Sequence, residues 1–198
     1  MKKIVLCVIA LLMIFGTVGC SKDKLYIKAE DITTDTLLAR TNGELQVATV
    51  EEFDKTYYKL SELEEFVKAE VDQYNSKAGA NSIKIDDIEI RDNKAFMILS
   101  YAGMKQYSTF NEMSAAYFNG GAKDILMDLP ETLLTAKGGA PASTKEVLGN
   151  DKYKILVMNE PYDVIVEGTV KYYSDNAKLL ENNKVQCAAE GMTIVVYK

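Results

Sequence analysis

From residue 36 onward, short apolar runs alternate with turn-forming clusters, and one stretch, residues 61–77, keeps helical periodicity over several turns. Leu63, Phe66, Val67, Val71 and Tyr74 recur there at the three- and four-residue spacing of a single helix face. Glu62, Glu64 and Glu65 fall in the first turn, where the helix dipole favours anions. Ser61 with Glu64 reads as a capping box, and Gly79 follows as the stop. One amphipathic helix among many short strands, with no long alternation of strand and helix, predicts an α+β fold. It should be a single compact domain over residues 36–198, made mostly of antiparallel hairpins with a few shorter helices.

The hairpins are individually legible. Residues 36–40 and 45–50 flank Asn42-Gly43, a pair suited to the two positive-φ positions of a type I′ turn. Ile83 and Ile85 share one parity and Ile88 and Ile90 the other, which places a bulge at Asp86-Asp87. After a turn at residues 91–94, residues 95–101 form the most apolar run, a strand expected to be covered on both faces. Short helices are expected over 104–110 and 122–129, a strand over 115–118, and a loop over 137–141. Ser143 and Glu146 suggest a second capping box opening a short helix. The last quarter reads as strands at 153–158, 163–167, 169–173 and 192–197.

The amino end carries an address. Lys2 and Lys3 precede the apolar residues 4–15, and Gly16-Thr17-Val18-Gly19-Cys20 follows. Twelve apolar residues make a helix of about 18 Å, short of the roughly 20 residues a membrane span requires. This is the layout of a secretory signal, residues 1–19, cut before a cysteine whose thiol can take a diacylglycerol thioether. Two or three acyl chains, palmitate among them, anchor stably where one is marginal. Cys20 is therefore the expected lipidation site, residues 20–35 a lipidated tether, and the outer face of the cell membrane the expected location. Cleavage would leave 179 residues and, with Lys2 and Lys3 gone, move the formal charge from −6 to −8. That balance argues against binding nucleic acid through charge. Cys187 would then be the last free thiol, so no internal disulfide can form, and its apolar neighbours suit a small buried side chain.

Chemistry-bearing residues are sparse. The absence of histidine removes the Ser-His-Asp and Cys-His arrangements and histidine-ligated zinc. No phosphate loop, dinucleotide fingerprint or calcium-loop spacing occurs, so no cofactor and no metal are expected. The remaining candidates are carboxylates, Glu51-Glu52 with Asp54, Asp86-Asp87, and Asp124 with Asp128, and a Ser/Lys set, Ser100 with Lys105 or Ser143 and Thr144 with Lys145. Tyr57-Tyr58 and Tyr172-Tyr173 would place neighbouring rings on opposite faces of a strand.

The Asn42-Gly43 hairpin, residues 50–58 and 61–74, the hairpin at 91–94, and the closing residues 170–176 and 194–198 together resemble a family of uncharacterised predicted lipoproteins of Gram-positive anaerobic bacteria. The resemblance covers most of the chain after the signal, most weakly over 113–147. None of its motifs is catalytic, so it implies a compartment and a domain identity but no activity. Three readings follow. The first is a membrane-anchored, non-enzymatic surface domain that binds an unidentified protein or small ligand. The second is a cell-envelope hydrolase acting on glycans or peptidoglycan through paired carboxylates, and the third is a structural spacer of the envelope.

Overall fold

The computed structural model describes residues 25–122 and 129–198. The signal segment and Cys20 lie outside those residues, as do Asp124, Asp128 and all but the ends of the helix expected over 122–129. The described elements begin with β1 (Thr36–Ala39), β2 (Leu45–Glu52), α1 (Leu60–Ala78), β3 (Ile83–Arg91) and β4 (Lys94–Tyr101). The middle holds α2 (Met104–Asn111), β5 (Ala115–Asn119), β6 (Thr132–Thr135), β7 (Pro141–Ser143) and α3 (Thr144–Leu148). The chain closes with β8 (Lys154–Met158), β9 (Asp163–Val166), β10 (Val170–Tyr173), β11 (Lys178–Glu181), β12 (Lys184–Gln186) and β13 (Thr193–Tyr197).

These strands form two sheets, in the orders β11-β12-β9-β1-β2-β4-β3 and β5-β8-β13-β10-β6-β7. Among the described pairings, the β1–β9 ladder is parallel and the rest are antiparallel, an α+β arrangement as the hairpin pattern predicts. Alternation along each strand sorts side chains into three cores. Leu37, Val47, Leu99 and Val164 of the first sheet meet Leu156, Val195 and Tyr197 of the second, together with Val67 and Val71 of α1. On the far face of the second sheet, Leu133, Ile155 and Ile194 pack with Val147 and Leu148 of α3. On the far face of the first, Leu38, Ala48, Phe96 and Ile98 are covered by Ile27, Ala29 and Ile32. Strand β4 thus contributes to two cores, covered on both faces as its unbroken apolarity implies.

That last core corrects the expected boundary at residue 36. Ile27, Ala29 and Ile32 fall within the expected tether, yet they are buried on the sheet. A polar network fastens them: the Ile27 N–H donates to Gln46 Oε1 (2.8 Å), and Gln46 Nε2 donates to Asp86 Oδ2 (2.8 Å). Arg91 donates to the Ala29 carbonyl, and the Asp35 carboxylate accepts the Val50 N–H at 2.7 Å. The side chains of all three cores lie between Ile27 and Tyr197, so a chain beginning at Ser21 keeps every one of them.

Three local expectations change. In the β1–β2 loop only Gly43 takes positive φ (90°), with the Gly43 N–H donating to the Arg40 carbonyl at 3.2 Å. Asn42 instead accepts the Glu44 N–H through Oδ1 (3.1 Å), so the connection is a three-residue loop with a glycine bulge. The pair of positive-φ residues belongs to the β3–β4 hairpin, at Asp92 (52°) and Asn93 (59°). Neither capping box forms. Helix α1 starts from Lys59 in extended conformation, which leaves Ser61 inside the first turn, and the Ser143 hydroxyl does not cap α3. The bulge between Ile85 and Asp87, the helix stop at Gly79 (φ 106°), the α2 helix and the β5 strand are where the sequence places them. Strands β6, β7, β11 and β12 lie where the sequence pattern predicts none, and β7 begins at Pro141, the last residue of the expected loop.

Candidate functional site

The seven-stranded sheet is wider than either partner that covers it. Helix α1 packs chiefly over β3, and the second sheet packs over β1 and β9. Between them the β2–β4 surface is left as the floor of a groove of about 790 Å³. Strand alternation lines that floor with Val47 and Thr49 of β2 and Met97, Leu99 and Tyr101 of β4; Val47 is registered opposite Leu99 and Thr49 opposite Met97. From Tyr101 to Met97 the floor runs about 13 Å, at the rise of an extended chain. One wall is the α1 row Phe66, Glu70, Gln73 and Lys77, spaced three and four apart, with Val67 and Tyr74 beneath it.

Aromatic contacts close one end. Tyr74 meets Phe110 of α2 edge-on (5.5 Å between centroids), Tyr101 lies 6.2 Å from Phe110, and Tyr101 meets Tyr107 edge-on at 5.3 Å. Asn111 Nδ2 donates to the Tyr101 hydroxyl (3.2 Å) and to the Tyr107 carbonyl (2.9 Å). Asn75 exchanges two 2.9 Å hydrogen bonds with the Ile83 backbone, and Ile83 is registered opposite Tyr101. That pins the carboxyl end of α1, and with it Lys77, to the same closed end from which α2 presents Lys105 and Thr109. At the other end stand Thr49, Met97 and the 63 % exposed ring of Phe66. Phe66 was expected to pack inward with Val67 and Val71. It projects over the groove instead.

The chemical candidates are not brought together there. Asp86 occupies the β3 bulge, where it accepts hydrogen bonds from Lys84 (2.8 Å), Gln46 and Ser100. Burial by itself would raise its carboxyl, but those three donors outweigh it and hold the group below its ordinary 3.8. The Ser100 hydroxyl is thereby committed to Asp86, on the opposite face of β4 from Lys105. Glu52 pairs with Lys94 (3.4 Å) and Asp54 with Lys55 (3.0 Å) on the surface. Thr144 is buried in the turn that starts α3. Among the described residues no three metal-ligating side chains converge. Cys187 is 5 % exposed, and burial pushes its thiol up to about 12, which keeps it protonated and unreactive.

The tyrosine pairs divide. Tyr172 and Tyr173 face different cores, as extended neighbours must. Tyr57 and Tyr58 lie in the β2–α1 connection and are both exposed; Tyr57 meets Tyr58 edge-on at 4.9 Å, and Tyr58 lies tilted against Phe53 at 4.8 Å. Comparison with known protein families, with curated proteins and with solved structures returns no match.

Proposed function

We propose that this chain is a lipid-anchored extracytoplasmic binding protein. In this reading Cys20 carries the acyl chains, and the body acts by binding a ligand in the α1–α2 groove rather than by catalysis. The observation that carries it is the groove itself: an open, mainly apolar trough of about 790 Å³, within the roughly 300–1,000 Å³ typical of small-ligand sites. Val47, Leu99 and Tyr101 are buried at the base of the groove, while Phe66 is an exposed apolar ring at its rim, a surface that an apolar ligand would cover. Asp86 and Ser100 are bonded to each other, and Glu52 and Asp54 each pair with a surface lysine, which supports binding over hydrolysis by these groups. The spacer reading leaves the groove without a role.

The address and the site are tested separately. Cys20→Ala is expected to leave the precursor unprocessed or to release the protein from the membrane, followed by fractionation and intact-mass measurement. A variant that stays both mature and anchored overturns the lipid assignment. For the groove, a neutral environment-sensitive fluorophore such as phenylnaphthylamine is titrated against the chain from Ser21. Phe66 is exposed, so Phe66→Ala should leave the melting temperature nearly unchanged while weakening the fluorophore about fivefold to tenfold through lost aromatic contact. Met97→Glu, which sets a charge on the floor, should abolish binding. Equal affinity in all three proteins would dismiss the groove as the site.

A further inference from the structure

Building on that reading of the groove, we infer that its ligand is a single-chain anionic amphiphile, a long-chain carboxylate, lying with its head at the α2 end. The floor and lower wall supply the apolar half of this assignment: Val47, Met97 and Leu99 below and Val67 beside them offer no hydrogen-bonding side chain to a polar ligand. Along about 13 Å of floor, from Met97 to Tyr101, the surface suits the head-proximal part of an extended hydrocarbon, whose remainder runs out past the open Phe66 end.

Charge supplies the other half. Lys77 and Lys105 are both at the groove, on different helices and at the same closed end. Among the described residues neither has a carboxylate within 4.0 Å, in a chain whose net formal charge is −6. Other described lysines, such as Lys137 and Lys171, are likewise outside any ion pair, so what sets Lys77 and Lys105 apart is that both stand on the lining of the groove, at one end of it. Two unpaired cations flanking one end of an apolar trough fit a carboxylate head, and the hydroxyl of Thr109 lies at the same end as a further donor. Glu70 is the one acid on the lining, seven residues before Lys77 and so about 10 Å away along the helix. It faces the tail region and disfavours the opposite orientation, with the head beside Phe66.

The test displaces the same neutral fluorophore from the chain beginning at Ser21, using hexadecanoate, hexadecanol and hexadecyltrimethylammonium below their aggregation limits. Hexadecanoate is expected to compete about tenfold better than hexadecanol, a preference of the size two exposed charges supply, and to lose that advantage as salt rises. In Lys77→Gln/Lys105→Gln, with folding checked by its melting temperature, the preference should fall to about one. Equal competition by acid and alcohol in the unaltered protein, or a preference that survives the double substitution, overturns the anionic head and leaves the groove reading standing. Displacement by an amphipathic helical peptide but by none of the three amphiphiles would make a partner helix the occupant and overturn the proposal. If the fluorophore itself fails to bind, the groove reading falls as well.

Discussion

Between pH 10 and pH 12 the protein is expected to unfold cooperatively, because its core is closed around phenols that cannot ionise in place. Tyr101, Tyr107, Tyr162 and Tyr197 are each no more than 4 % exposed. Burial is the leading cause that raises all four; it takes Tyr101 from 10.0 to about 12 and pushes Tyr107 and Tyr197 further still. A folded value above the unfolded one means that the stabilisation is fully present below pH 10 and is lost as pH rises through the folded value. For Tyr101 the rise from 10.0 to about 12 corresponds to about 3 kcal/mol at 1.4 kcal/mol per unit. The Cys187 thiol, raised from 9.0 to about 12, acts in the same direction. Several such groups together match the whole stability of an ordinary domain, about 5–15 kcal/mol. The chain has no tryptophan, so tyrosinate absorbance is read without interference. A step in that absorbance should coincide with loss of the β-sheet dichroism, and Tyr101→Phe should move the midpoint upward. Ionisation of all the tyrosines with the sheet signal intact would show that these rings are not sealed.

The same burial explains what could be read in advance. Strands whose two faces meet different cores, such as β4, announce themselves by unbroken apolarity, and the Ile85–Ile88 parity change marks the Asp86 bulge without ambiguity. Turn chemistry was less informative. Asn42-Gly43 and Asp92-Asn93 both tolerate positive φ, and which pair adopts the tight two-residue turn depends on register against β2, a long-range property. Ser61 and Ser143 carry the right neighbours for capping, but Lys59 begins α1 earlier, and Ser143 is still paired to Thr132 when α3 begins. Strand β11 is mostly exposed and sits at the sheet edge, so its four residues lack the alternation that reveals a strand. The groove was illegible for a related reason. Its residues come from β2, α1, β4 and α2, and each taken singly is an ordinary core or surface side chain. Phe66 was the available signal, since with it the apolar stripe of α1 is wider than the covered sheet requires.

A chain that starts at Thr36 is expected to lose about 5 kcal/mol of stability, or to fail to fold, whereas one that starts at Leu25 should match the chain from Ser21. Residues 25–35 look like a linker because they are polar and short of apolar residues. Yet Ile27 and Ile32 are 6 % and 7 % exposed, and burying an isoleucine contributes about 1.5–3 kcal/mol. Removing them also bares Leu38, Ala48, Phe96 and Ile98 to water. It leaves Gln46 without the Ile27 N–H, Arg91 without the Ala29 carbonyl and the Val50 N–H without Asp35. Urea midpoints of the three chains measure the difference. Full-length Ile32→Ala, at about 2–4 kcal/mol, separates lost packing from the effect of a new chain end. The outcome also sets how far the body can stand from a membrane. If Cys20 carries the lipid, a free tether of fifteen residues before Thr36 would reach at most about 50 Å. With the body closed from Ile27, only the six residues 21–26 remain, at most about 20 Å. The Tyr26 ring, with Arg40 stacked 4.9 Å from its centroid, would then hold the near end of the domain close to the headgroups. A Thr36 chain as stable as its longer counterparts would return residues 25–35 to the tether and lengthen that reach.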